Sequence, residues 1–211
     1  MNIANADWLF SKIYPSLTWR VKTSKKEVFL TFDDGPVPGI TDTVLDILSD
    51  FKVLATFFCV GENISKHPAT FQRVLDQGHQ VGNHTFNHLN GWKVSDKEYF
   101  ANIEKCRQVL QSNMGESSGS KMLFRPPYGK IRFSQIRKVK EQYRIVMWNV
   151  LTKDYDNTFD EQDCLEQALK GTKPGALVLF HDNHKAMKNL EFVLPAYIKH
   201  LLDQGYCFKK I

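Results

Sequence analysis

The sequence predicts an α/β fold with a parallel sheet, closed as an α/β barrel or laid out as a doubly wound layer. Short apolar runs alternate with amphipathic stretches along almost the whole chain, and strands that alternate with helices pair in parallel through crossovers. The chemically versatile side chains also fall directly after the apolar runs. In an α/β barrel the C-terminal strand ends share one face, and that face carries the site.

Val28–Phe32 reads as the first strand and Asp42–Phe51 as a helix with apolar Val44, Leu45, Ile47 and Leu48. Val53–Val60 is a second strand, followed by a helix near Ala69–Gln77 that stops at Gly78, a residue type suited to the turn past a helix end. Gln80–Gly82 is a short strand, and Ser95–Gln111 a long helix whose Ser95 and Glu98 have capping-box spacing. Then come strand Met122–Phe124, helix Phe133–Gln142, strand Arg144–Val150, helix Asp160–Leu169, strand Ala176–Phe180, helix Leu190–Leu202 and edge strand Tyr206–Phe208. The Gly/Ser-rich stretch Gly115–Ser120 is a loop, too short to link domains. At 211 residues the chain is one domain's worth, with residues 1–27 an extension packed on it and 28–211 the domain proper.

Composition narrows the function classes. The chain is 42% hydrophobic and 24% charged, ordinary for a soluble enzyme, and its net charge of +5 is scattered rather than gathered into a nucleic-acid-binding stripe. Cys59, Cys106, Cys164 and Cys207 form no CxxC pair, so neither a disulfide framework nor a cysteine metal site is expected. No apolar run approaches the ~20 residues that span a bilayer. The N-terminus lacks a basic segment followed by a continuous apolar one, so the chain as given is expected in the cytoplasm unless a leader has been removed.

Five apolar runs end in reactive groups: Asp33-Asp34-Gly35-Pro36, His84 through His88, Arg125-Pro126-Pro127-Tyr128-Gly129, Asp154-Tyr155, and His181-Asp182. One polar residue after a strand often only caps a turn; five with complementary chemistry are poorly explained that way. His84 and His88 are spaced i, i+4, which on a helical turn points both imidazoles one way. With one carboxylate from Asp33-Asp34 they form a two-His, one-carboxylate metal set with positions open for water, for which zinc is the default and iron, cobalt or manganese are alternatives. The second carboxylate is then a general base toward metal-bound water. Arg125 can hold a carboxylate through two hydrogen bonds. Tyr128 is the first residue after the prolines able to offer a backbone N–H to an oxyanion. His181 is the candidate general acid and Asp154 its partner. A non-haem iron oxygenase uses the same ligand types but leaves the second carboxylate and His181 without work.

Thr31-Phe32-Asp33-Asp34-Gly35-Pro36, His84-Thr85-x-x-His88, Arg125-Pro126-Pro127-Tyr128-Gly129 and Leu179-x-His181-Asp182 together resemble the polysaccharide deacetylases with a NodB-homology domain, carbohydrate esterase family 4. The resemblance runs in order from about Val28 to Lys209. It implies a distorted (β/α) barrel of about seven strand–helix units, TIM-barrel-like, around one divalent metal, most commonly Zn2+, with Co2+, Ni2+, Mn2+ or Fe2+ as alternatives. It further implies Asp33 as base, Asp34, His84 and His88 as metal ligands, and His181 as acid. Arg125 would tether the base, Asp154 would orient His181, and Tyr128 would give its amide to the oxyanion. Pro127, Tyr128, Tyr155 and Leu179 would contact substrate, with Leu179 lining the acetyl-methyl pocket. The implied activity is removal of N-acetyl groups from amino-sugar units of a chitooligosaccharide, peptidoglycan or a precursor. The implied partner is thus an N-acetylated carbohydrate. O-acetyl ester hydrolysis and a catalytically silent sugar-binding protein are the alternatives. The sequence departs from the family's Asp-x-x-Asp-Trp motif, with Leu151 for the first Asp and Tyr155 for Trp, which alters the wall of the site.

Overall fold

The computed structural model describes residues 11–114, 121–156 and 158–211; the expected loop Gly115–Ser120 and the first ten residues lie outside the described residues. Among those described, the strands are β1 (Glu27–Asp33), β2 (Thr56–Cys59), β3 (Gln80–Asn83), β4 (Met122–Phe124), β5 (Tyr143–Ile145), β6 (Val150–Leu151), β7 (Ala176–His181) and β8 (Cys207–Phe208). Helices α1 (Ile40–Asp50), α2 (Gly61–Lys66), α3 (Pro68–Asp76), α4 (Asp96–Met114), α5 (Phe133–Gln142), α6 (Glu161–Gly171) and α7 (Met187–Asp203) connect them. One parallel sheet runs in the order β5-β4-β3-β2-β1-β7-β6, the distorted barrel of seven strand units that the family resemblance implies, with β8 added to the start of β1.

Strand β1 is buried from Val28 to Asp33, as a central parallel strand covered on both faces must be. Its alternation decides where chemistry can go. Val28, Leu30 and Phe32 join the large apolar core shared with the helices, while Phe29 meets Phe58, Leu123, Val146 and Leu177 in a second, smaller core. Successive side chains of a strand point to opposite faces, so Thr31 and Asp33 share the Phe29 side. Register then sets Asp33 beside His181 on β7 and Phe58 on β2.

Three expected elements differ. The strand expected over Arg144–Val150 is two short ones, because Val146–Asn149 leaves one neighbour for another: the Val146 amide bonds Phe124 O and the Asn149 amide bonds Leu177 O. This segment thus passes from the β4 edge to the β7 edge, where β5 and β6 do not pair. The strand expected over Val53–Val60 is confined to Thr56–Cys59, since Val60 caps helix α2, too short to leave a periodic pattern. Half of the expected capping box forms, with Ser95 Oγ accepting from the Glu98 amide at 3.2 Å. Ahead of β1, Leu17 is buried, Thr18 bridges to Val146, and the Val21 amide bonds Gly175 O.

Candidate active site

Asp34 follows β1 directly, with a φ of 87°, and His84 follows β3. The two histidines converge, but not on a helical turn as the spacing suggests. Thr85 and His88 both have left-handed backbone, φ 66° and 57°, which breaks a helix. Side-chain amides hold the loop instead: Asn83 Oδ1 accepts from the Thr85 amide at 2.8 Å and Asn102 Oδ1 from the Phe86 amide at 2.7 Å. His84 Nδ1 donates to Arg125 O at 2.8 Å, and His88 Nδ1 pairs with the Tyr128 hydroxyl at 3.1 Å. Both Nε2 atoms therefore remain for Asp34, whose Oδ1 lies 3.6 Å from His84 Nε2 and 3.1 Å from His88 Nε2.

Ligand atoms of Asp34, His84 and His88 all lie within 4.8 Å of one another. Asp34 Oδ1 is buried without a hydrogen bond, while Asn183 Nδ2 holds its Oδ2 at 2.6 Å. An orphaned carboxylate oxygen facing two imidazole lone pairs, with every outer atom secured, is what a divalent cation requires. The charges suit it too. Burial works to raise the Asp34 carboxyl, but His88, His84 and His181 together hold it below the usual carboxylate range. Burial lowers His84, with Asp33 opposing, which favours the neutral imidazole a metal needs.

Asp33 is buried and accepts from Arg125 Nη1 at 2.7 Å on Oδ1. The two-bond clamp expected of Arg125 is absent. Its other donors go to Thr31 Oγ1, Val146 O and Met147 O, the carbonyls released where the chain departs from β5. The guanidinium is fully buried over the Phe58 ring, 4.1 Å from its centroid. It therefore serves as a post of the barrel interior as well as a tether.

His181 and Asp154 make a two-point contact: Nδ1 to Oδ1 at 2.9 Å and the His181 amide to Oδ2 at 2.7 Å. Burial alone would lower His181, but the fully buried Asp154 carboxylate, with Asp34 and Asp33 adding to it, more than reverses this, and the imidazole is raised to about 9. Nδ1 is spoken for, so Nε2 is the proton-bearing atom left for a ligand. The edge of the Tyr155 ring packs on this histidine at 4.8 Å.

Asp33, Asp34, His84, His88, Tyr155 and His181 line one cavity of about 680 Å³ that also includes Leu151, Leu179 and Trp148, with Arg125 and Asp154 behind its wall. Tyr128 lines it and is 60% exposed, with left-handed backbone at φ 60°. The amides beside it, of Gly129 and Lys130, turn back onto Pro126 O and Pro127 O. Pro127, expected at the substrate, is buried and does not reach this cavity.

The sequence motif reaches Asp182 without giving it a role and stops one residue short of Asn183, which sequence reasoning missed. Asp182 is buried, and accepts from the Gly35 amide at 2.9 Å and from Thr41 Oγ1 at 2.6 Å, while its own amide bonds Asp33 O. Burial pushes its carboxyl up to about 8. Trp148, Lys130 and Lys185 left no signal in motif or spacing, whereas His184 lies close to His181 in sequence.

The sequence pattern described as polysaccharide deacetylase matches residues 20–148. A peptidoglycan-N-acetylglucosamine deacetylase of Bacillus cereus is 34% identical over 195 residues, covering 91% of this chain and 89% of that protein. A solved peptidoglycan N-acetylglucosamine deacetylase superposes with a TM-score of 0.88 at 33% identity, over 96% of this chain and 94% of that one. A protein of Bacillus anthracis described as a carbohydrate esterase family 4 pseudoenzyme superposes at 0.80 with 26% identity, over 92% of this chain and 66% of that one. With more than half its length inside the family pattern, the chain belongs to the polysaccharide deacetylase family.

Proposed function

We propose that the protein hydrolyses the N-acetyl group of amino-sugar units in an oligo- or polysaccharide, with peptidoglycan N-acetylglucosamine first among its substrates. One observation carries the reading. A tethered carboxylate, Asp33 on Arg125, and a carboxylate-charged imidazole, His181 on Asp154, open onto the same cavity as the Asp34, His84 and His88 ligand set. The solved deacetylase and the pseudoenzyme share this fold, so the fold alone does not carry the activity; the intact acid, base and ligand positions do.

Asp34, His84 and His88 would hold a divalent ion, with Zn2+ the best match to a two-imidazole, one-carboxylate set. When bound, such an ion supplies Lewis-acid polarisation of the acetyl carbonyl and acidifies water. Asp33, fixed by Arg125 Nη1, accepts the proton from the attacking water as its oxygen bonds to the carbonyl carbon. The Tyr128 amide is offered to the oxyanion, and Leu179 and Leu151 exclude water around the methyl group. His181 Nε2 then gives its proton to the nitrogen as the C–N bond breaks, leaving acetate and a free amino sugar. An amine cannot leave as its anion, so an imidazole held protonated to about 9 suits an amide better than an ester.

Residues 28–211 carry this activity in our reading, with Leu17, Thr18 and Val21 of the preceding segment bracing the barrel. No helix among the described residues is long and apolar enough to cross a membrane. Work on finished wall requires export of the chain, whereas the cytoplasmic setting expected from sequence pairs with a soluble or precursor sugar. The test is acetate release from N-acetylglucosamine oligomers and peptidoglycan fragments, before and after chelation and zinc re-addition. Release that stops with chelator and returns with zinc is expected; no release from any of them with metal bound would end the reading.

A further inference from the structure

Asn183, between β7 and α7, is engaged at both ends of its side chain. Its Oδ1 accepts the Lys185 amide at 2.9 Å and the Ala186 amide at 3.1 Å, closing the turn that leads into α7. A carboxamide whose oxygen is committed in this way has only its nitrogen to offer in the other direction. That nitrogen donates to Asp34 Oδ2 at 2.6 Å. The turn thus decides which end of Asn183 faces Asp34, and it presents a donor.

The backbone of Asp34 is held as well. Asn63 Nδ2, on α2, donates to Asp34 O at 2.7 Å, on a residue whose φ of 87° already departs from the strand. With its carbonyl and its Oδ2 both fastened, Asp34 turns one oxygen alone toward the histidines. This is Oδ1, buried and without a hydrogen bond, 3.6 Å from His84 Nε2 and 3.1 Å from His88 Nε2. Two imidazole nitrogens and a single oxygen suit an ion satisfied by few ligands of mixed type, as zinc is. Manganese favours a shell of many oxygens. A carboxylate free to turn offers such an ion both of its oxygens; the tethered one offers half. Asn183 lies one residue beyond the motif that carries the family resemblance, so the tether is no part of that motif.

We infer that Asn183 is a metal-selecting residue: by keeping Asp34 Oδ2 to itself, it biases the Asp34, His84 and His88 set toward zinc and against ions that want oxygen-rich shells. This rests on the reading of those three residues as ligands, and it names the residue that narrows their choice of ion. Asn183 acts through Asp34, so it is a positioning residue rather than a catalytic one.

Two replacements separate its two ends. Asn183→Ala removes both, whereas Asn183→Ser keeps a short oxygen able to accept the amides of the turn and has no nitrogen to reach Asp34. Metal-free protein is titrated with Zn2+ and with Mn2+ against a chromophoric chelator, and its melting temperature is recorded alongside. Asn183→Ser should melt with the unmodified metal-free protein while binding zinc about 10–100-fold more weakly. Manganese binding should change far less, so that the preference for zinc falls about tenfold. A preference left unchanged in Asn183→Ser overturns the proposal: both ions bound as before would return Asn183 to capping the turn, and both weakened alike would make it a general stiffener of the loop. If Asn183→Ala does not fold, Asn183→Ser decides alone. Unmodified protein that binds neither ion ends the proposal together with the ligand reading. Acetate release from N-acetylglucosamine oligomers is followed in parallel: none from the zinc-loaded unmodified protein, with the shift in preference observed, sinks the deacetylase reading and leaves the role of Asn183 standing.

Discussion

Asp33 and Asp34 are adjacent in sequence, and a single left-handed residue gives them different work. Asp33 ends the strand facing the barrel interior and meets Arg125, whereas Asp34, at φ 87°, swings to the two histidines. Asp33→Asn should therefore lower kcat by about 10²–10⁴-fold while zinc stays bound, read by acetate release beside metal content; loss of zinc would reverse the assignment of the two carboxylates. The proposed mechanism draws its proton from His181, so activity should fall as pH rises through about 9. Asp154→Asn removes the strongest influence raising that imidazole and leaves burial to lower it, so the alkaline limb should move down by about one to two pH units. A pH–rate profile that keeps its limb would detach Asp154 from the acid. The sign for stability agrees. The raised imidazole contributes fully below its ordinary 6.5, and that contribution is lost as pH climbs through about 9.

At the scale of elements, the site hangs on how the loop after β1 is fastened. Asp182, just past β7, takes the Gly35 amide and the Thr41 hydroxyl at the start of α1, joining three elements behind Asp34. A Cβ at Gly35 would lie 1.9 Å from Asp182 Oδ2. Gly35→Ala should thus cost about 1–3 kcal/mol of stability through overpacking and weaken zinc binding, measurable by denaturant midpoint and competition with a chelator. Unchanged zinc affinity would show that the loop has slack. The order of strands and helices was legible in the sequence because buried parallel strands read as continuous apolar runs, as Val28–Phe32 and Ala176–Phe180 do. The candidate ligands Asp34 and His84 were legible because they directly follow β1 and β3. What escaped depends on contacts distant in sequence. The His84–His88 loop is bent by Asn83 and Asn102 rather than by helical spacing, and the run Arg144–Val150 breaks where it passes from the β4 edge to the β7 edge, its freed carbonyls at Val146 and Met147 taken by Arg125.

Across the whole molecule, scaffold and site are separable. The apolar clusters draw on both faces of the strands and on the helices, and none includes Asp34, His84 or His88. Those three sit on the strand-end face, held by hydrogen bonds that do not themselves involve a metal. The chain without metal should accordingly fold, in contrast to small domains whose only core is their zinc. Metal then acts as a ligand of a preformed site. At a hundredfold excess over Kd, zinc should raise Tm by about 5–10 °C for a chain of this size, and chelation should remove that increment while near-ultraviolet circular dichroism is unchanged. His84→Ala should melt cooperatively near the chelated protein's Tm and gain nothing from zinc. Loss of the near-ultraviolet signal on chelation would mean instead that the barrel opens without the ion that the buried, orphaned Asp34 oxygen awaits, and the site would have to be counted as part of the fold.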